Sequence, residues 1–270
     1  MRRTYKLVAT VAVLGLALTG CSASVSGGGD SAGESGSGSG SGSGSDSAQG
    51  PEQIRLADGS PLRSDAPVEV TPPRGTNGLP PIVRSIETTE KVVFLTIDDG
   101  YSDSKKTDRI LDRMGIPITS FLTKAAISNN RDYFQAISQR DGQVIQNHTV
   151  SHPSMPGLSQ SGQESQICTT SDDFQEWTGT RPWMFRPPYG EFNETTQRAA
   201  KACGIDYIVN WNVSLPAGHL RYAEGDKLQP GDIILTHWRD DLPTHLKRAL
   251  RDISRQGFQI GALQDYLPAK

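Results

Sequence analysis

Residues 91 to 100 read Lys-Val-Val-Phe-Leu-Thr-Ile-Asp-Asp-Gly, an apolar run that halts on two adjacent carboxylates and a glycine. Val92, Val93, Phe94, Leu95 and Ile97 show no polar alternation, which predicts a strand buried on both faces, as in a parallel sheet. Two like charges at the end of such a strand repel at close range. A fold accommodates them when a cation neutralises one or when the two have different tasks. Gly100 permits a sharp turn or the close approach of a ligand. A plain Asp-Gly turn fits this stretch alone equally well, so the rest of the chain has to decide.

Downstream, strand and helix signals alternate. The pattern predicts a helix from Ser102, as cap, to Met114, with Gly115 as its stop, then a strand over 118–123. A helix over 131–140 and a short strand over 143–146 follow. The capping-box spacing Ser161-x-x-Glu164 opens a helix toward Trp177. Further strands are expected over 183–185, 207–211, 232–235 and 258–260, with helices over 193–203 and 244–256 between them. This alternation implies an α/β fold, a parallel sheet closed or nearly closed into a (β/α) barrel. Its strands end on Asp98-Asp99, His148, Arg186 and His237, and in such barrels the C-terminal strand ends converge on the face that holds the site.

The N-terminal region is of another kind. Arg2, Arg3 and Lys6 precede an apolar run from Leu7 to Leu18 and then Gly20-Cys21, the form of a secretory signal over 1–20 too short to span a bilayer as a mature helix. The Leu-Thr-Gly-Cys ending resembles a bacterial lipobox. That resemblance implies cleavage before Cys21, a diacylglyceryl group on its thiol and attachment at the extracellular face of the cell membrane, in the cell-wall space. Residues 21–50 are almost entirely Gly, Ser, Ala and Asp, a disordered tether. Residues 51–79 form a Pro-rich extended lead-in, and 80–270 are long enough for one domain with a full core. Loss of Arg2, Arg3 and Lys6 with the signal takes the formal charge from -3 to -6, a balance that argues against nucleic acid as a partner. Export permits a disulfide between Cys168 and Cys203, on helices flanking one strand; two buried thiols are the alternative.

Three stretches carry chemistry. His148-Thr-Val-Ser-His152 spaces two imidazoles at i and i+4, close enough to share a cation, while Pro153 keeps the turn brief and loop-like. One carboxylate of Asp98-Asp99 would complete a His-His-Asp set with an open position, the donor set of a hydrolytic zinc site. In Arg186-Pro187-Pro188-Tyr189-Gly190, two prolines stiffen a loop whose remaining backbone donors are Tyr189 and Gly190. His237 follows the run 233–236 and is a candidate acid; a structural histidine and a simple turn salt bridge for Arg186 are the bland readings.

Taken together, Thr96-Ile97-Asp98-Asp99-Gly100, His148 to His152, Arg186 to Gly190 and Leu235-Thr236-His237 resemble, in order and spacing, four of the five motifs of the polysaccharide deacetylase family (NodB homology, carbohydrate esterase 4). The resemblance covers about residue 80 to the end. It implies a distorted (β/α) barrel in a single domain, a divalent metal, usually zinc, on Asp99, His148 and His152, and Asp98 as the base, oriented by Arg186. It further implies that the Tyr189 backbone helps hold the oxyanion and that His237 is the acid. The remaining motif departs: where the family carries an Asp that tunes the last histidine, this chain has Ser214, and a neutral serine stabilises an imidazolium less. Glu224 or Asp226 could replace that carboxylate from the following loop. The expected activity is removal of acetyl groups from an extracellular acetylated glycan by a monomeric enzyme. A carbohydrate-binding lipoprotein with little turnover, and an amidase on a small non-sugar C–N substrate, are the rival expectations.

Overall fold

The computed structural model describes residues 54–64 and 71–270, so the expected signal, the lipid-bearing Cys21 and the tether lie outside the described residues. Along the chain come β1 (Ile82–Val83), β2 (Val92–Asp99), α1 (Lys105–Met114), β3 (Ile118–Leu122), α2 (Arg131–Ser138) and β4 (Gln143–Asn147). Then follow α3 (Gln160–Thr178), β5 (Met184–Phe185), α4 (Glu194–Ala202), β6 (Tyr207–Val209), β7 (Val213–Ser214) and β8 (Arg221–Tyr222). The chain ends in β9 (Ile233–His237), α5 (Leu242–Arg255), β10 (Gln259–Ile260) and α6 (Leu263–Tyr266).

The strands lie in the order β1-β6-β5-β4-β3-β2-β9-β7-β8, and β10 pairs with the start of β2. Every pairing between these strands is parallel except β7 with β8. The sheet curls into a distorted barrel that is nearly closed. At the seam between β1 and β9, Ser85 forms a single antiparallel bridge to Asp232, and the Ile86 N–H donates to the Gly231 carbonyl at 2.9 Å. Gly231 (φ +83°) is required there, because a Cβ would lie 1.8 Å from the Ile86 carbonyl oxygen.

β2 is buried at all eight positions, and its two faces meet different partners. Val93, Leu95 and Ile97 pack with Ile110, Phe134, Leu246 and Leu250 of the helical layer. Val92 and Phe94 pack with Phe121, Met184 and Tyr207 inside the barrel. The twofold alternation of a strand carries that inner line on to Thr96 and Asp98. An apolar row therefore becomes polar at Thr96, three residues before the strand ends, and this sets the depth of the site.

Several boundaries differ from expectation: β6 stops at Val209, β9 runs on to His237, α5 starts at Leu242, and two helix caps are displaced. Ser104, not Ser102, caps α1 by accepting from the Thr107 N–H at 3.2 Å. Ser159, not Ser161, caps α3 and accepts from Gly162, so the Ser161-x-x-Glu164 box is not formed. Both caps still obey the rule that a short hydroxyl satisfies an orphan amide of the first turn; two nearby serines competed and the earlier or later one won on backbone geometry. Ahead of the barrel, Leu62 is buried in the core and Arg63 bridges to Ile260. Cys168 in α3 and Cys203 at the end of α4 form a disulfide.

Candidate active site

The carboxylates of β2 reach one space because the backbone breaks its alternation. Asp99 takes φ +75° and Gly100 φ +99°, which turns the Asp99 side chain out of the helical layer. Gly100 cannot be replaced cheaply, since a Cβ would meet the Ile127 Cγ2 at 2.4 Å and the Leu122 Cδ2 at 3.2 Å. Five described non-glycine residues have positive φ, and four of them (Asp99, Thr149, His152 and Tyr189) belong to the strand ends and loops of this one site. Backbone strain of this sort persists where surrounding contacts over-determine it, as at ligand-holding loops.

The histidine pair is arranged by a loop and not by a helical turn. The Asn147 Oδ1 accepts from the Thr149 N–H at 2.9 Å, and the Thr149 Oγ1 accepts from the His152 N–H at 2.9 Å. The Gln166 Oε1 on α3 accepts from the N–H groups of Val150 and Ser151. Buried His148 donates from Nδ1 to the Arg186 carbonyl at 2.7 Å, which leaves the lone pair of Nε2 facing the site. That Nε2 lies 3.7 Å from the Asp98 Oδ2 and 3.7 Å from the Asp99 Oδ1, and the His152 Nε2 lies 3.6 Å from the Asp99 Oδ1. These distances are too long for hydrogen bonds. Nor is His148 half of an ion pair, because burial pulls its imidazole down to about 3 and keeps it neutral.

Donor atoms of Asp99, His148 and His152 all lie within 4.8 Å of one another. The Asp99 Oδ1 is buried without a hydrogen-bond partner. An orphaned carboxylate oxygen facing two imidazole nitrogens is a costly arrangement that a divalent cation relieves, and two nitrogens with one oxygen suit zinc. Burial pushes both Asp98 and Asp99 above the ordinary carboxylate range, while Arg186 pulls Asp98 back and His148 pulls Asp99 back. The residues present fit the metal that the sequence implied.

Arg186 is wholly buried and fully engaged. It donates from Nη1 to the Asp98 Oδ1 at 2.7 Å and the Thr96 Oγ1 at 2.8 Å, from Nε to the Val209 carbonyl at 3.0 Å and from Nη2 to the Asn210 carbonyl at 3.2 Å. Its guanidinium stacks 4.2 Å from the Phe121 ring centroid. Asp98 is thus gripped through one oxygen, and the other faces His148. Of the two backbone donors left by the Arg186–Gly190 loop, Gly190 spends its N–H on the Pro187 carbonyl at 3.0 Å, so only Tyr189 keeps a free one among the described residues. The Tyr189 ring packs edge-on against His152, with centroids 4.7 Å apart. His237 pairs in register with Asp98, and its side chain makes no hydrogen bond to any described residue. Burial lowers its pKa, and Asp98 is the one anion that opposes this. Glu224 and Asp226 are not among the groups acting on it, so neither takes the place of the carboxylate that Ser214 lacks.

All seven residues singled out from sequence converge on the mouth of the barrel. Thr96, Asn147 and Asn210 had been given no role there. Thr96 joins Arg186 to the Ile234 carbonyl, to which it donates at 2.8 Å, and its only signal was a hydroxyl on the inner line of an apolar strand. Asn147 sets the start of the histidine loop and donates to Ile167 and Ser171 on α3; an amide ending a buried strand was the available hint.

Comparison with known proteins agrees with this geometry. Residues 85–208 match the family model described as polysaccharide deacetylase, a span that holds six of the seven residues and leaves out His237. An uncharacterized protein of Streptomyces coelicolor is 37% identical over 198 residues, 70% of this chain and 78% of that one. The peptidoglycan-N-acetylmuramic acid deacetylase PdaA of Bacillus subtilis is 25% identical over 194 residues, 67% of this chain and 73% of its own length. Among solved structures, a CE4 family pseudoenzyme from Bacillus anthracis superposes with a TM-score of 0.60 at 22% identity, covering 71% of this chain and 70% of that one. The chain belongs to the polysaccharide deacetylase family, the NodB-homology group of carbohydrate esterase family 4.

Proposed function

We propose that the protein is a metal-dependent hydrolase that removes acetyl groups from N-acetylated sugars of a cell-wall polysaccharide. One observation carries this reading: three cation donors, Asp99, His148 and His152, stand together beside a second acid, Asp98, that is held by Arg186 and belongs to no ligand set. A divalent cation there supplies Lewis acidity, making water more acidic and withdrawing charge from a carbonyl oxygen.

The chain's own groups then divide the labour. Asp98 takes a proton from the attacking water, and Arg186 fixes which of its oxygens is free to do so. The Tyr189 N–H donates to the oxygen on which charge develops. His237 gives a proton to the departing amine as the C–N bond breaks, leaving acetate. Because burial disfavours the imidazolium, the Asp98 carboxylate beside it is what keeps that proton available.

The similarity to PdaA, a peptidoglycan-N-acetylmuramic acid deacetylase, makes peptidoglycan the first polymer to try. In the same reading, Cys21 bears the lipid and the Gly/Ser-rich stretch tethers the domain within reach of the wall; metabolic labelling with a fatty acid, lost in Cys21→Ala, tests this. Acetate release from N-acetylglucosamine oligomers and from peptidoglycan should require zinc, disappear with a chelator and fall at least about 1,000-fold in Asp98→Asn. Acetate release that survives both the chelator and Asp98→Asn would falsify the assignment. The lack of any carboxylate but Asp98 acting on His237 favours a second reading, a carbohydrate-binding protein without turnover. Sugar binding by zinc-loaded protein without acetate release would establish it.

A further inference from the structure

On the outer wall of the barrel, α1 and α5 pack side by side and leave an open groove of about 890 Å³ between their exposed faces. Its charge is one-sided. From α1 come Lys106, Arg109 and Arg113, at spacings that put them on one helical face. From α5 come Lys247, Arg248, Arg251 and Arg255, again one stripe, and Asp252 is the only acid in the lining. Seven cations against one anion give this strip a local charge of +6, in a chain whose formal net charge is -3. Arg248 is occupied by His219 and Arg255 by Asp252. The side chains of Lys106, Arg109, Arg113 and Lys247 have no ion pair or hydrogen bond with any described residue. Like charges gathered this closely repel unless something anionic shares the groove, and nothing in the active site uses them.

From Lys106 to Arg113 the helix rises about 10 Å, and from Lys247 to Arg255 about 12 Å. Two facing rows of that length match several anionic groups strung along a chain better than one small anion. A bilayer is the less suitable surface, because the cations line a concavity whose one large aliphatic lining residue, Ile110, is buried in the core. The two large hydrophobic side chains exposed among the described residues, Tyr101 and Tyr189, both lie at the active site. We infer that the α1–α5 groove is a second site, which binds a linear polyanion of the phosphodiester glycopolymer class and holds the enzyme on its wall substrate. Because β2 precedes α1 and β9 precedes α5, the groove starts beside the catalytic mouth and runs down the wall away from it. A bound polymer would leave the acetyl site open.

The test uses the full chain and fluorescent polyglycerol phosphate, read by anisotropy, with phosphatidylglycerol vesicles and an oligonucleotide of equal charge as comparisons. With four unpaired cations engaged, and a salt slope like that of single-stranded polyphosphates, affinity should fall about 50-fold between 50 and 200 mM salt. Arg109→Glu with Lys247→Glu should abolish binding, while acetate release from a short N-acetylglucosamine oligomer and the melting temperature stay unchanged. The charge-conserving pair Arg109→Lys with Lys247→Arg should keep binding. Polymer binding that survives the charge reversal, or the absence of polymer binding, overturns the proposal. So does binding to vesicles alone, or preference for the oligonucleotide.

Discussion

Replacing Arg186 by Met tests the central electrostatic claim. The guanidinium is wholly buried, and its 2.7 Å bond to Asp98 is the shortest of four. Methionine fills much of the space but leaves a buried carboxylate unpaired, together with the Val209 and Asn210 carbonyls. Breaking a buried pair from one side costs about 3–5 kcal/mol. Asp98, already raised by burial, loses the largest influence that lowers it and rises further. Raising the folded pKa of an acid above its unfolded value makes stability greatest at low pH, lost as pH climbs, so the deficit of Arg186→Met should shrink on acidification. Asp98→Asn combined with Arg186→Met removes the stranded charge. It should recover about 1–3 kcal/mol relative to the sum of the single losses, with activity still absent. Urea denaturation of chelator-treated protein, followed by tryptophan fluorescence, measures all four corners of the cycle. Additivity within about 0.5 kcal/mol, or a loss below about 1 kcal/mol for Arg186→Met, refutes the reasoning.

Other outcomes follow from the same geometry. Gly100→Ala combines φ +99° with a 2.4 Å approach to Ile127 and should cost at least about 2 kcal/mol in denaturation while weakening zinc binding; a change under about 0.5 kcal/mol would show the loop to be compliant. In metal-free protein, folding lowers His148 from 6.5 to about 3, so its contribution is complete above 6.5 and is lost as pH falls toward 3. Measured against His148→Gln, the wild-type protein should lose ground in melting temperature over that window, and parallel curves would contradict it. The Cys168–Cys203 bridge closes a 35-residue separation, which corresponds to about 4 kcal/mol in the chain-entropy account. Denaturation of Cys168→Ser/Cys203→Ser against the oxidised parent checks this, and a loss under about 1 kcal/mol would mean the bridge constrains little.

Much of the site was legible because its chemistry is written at strand ends. An apolar run stopped by Asp98-Asp99, and a histidine pair after another strand, can be read locally, since a strand's length and burial follow from its own residues. The alternation of strands and helices likewise determined the α/β class. Positions of caps were less legible: Ser102 and Ser104, or Ser161 and Ser159, are equivalent as side chains, and backbone geometry chose between them.

Tertiary structure alone decided what each group faces. Only the folded chain shows that Gly190 uses its N–H internally and Tyr189 does not, or that Arg186 reaches Thr96 across the barrel. Only there do two basic stripes, more than a hundred residues apart, become one groove while the net charge of the chain stays negative. Residue type and spacing act over a few positions, so they specify elements and candidate ligands. Electrostatic environment depends on atoms brought close from distant positions, and it comes into being when the sheet curls.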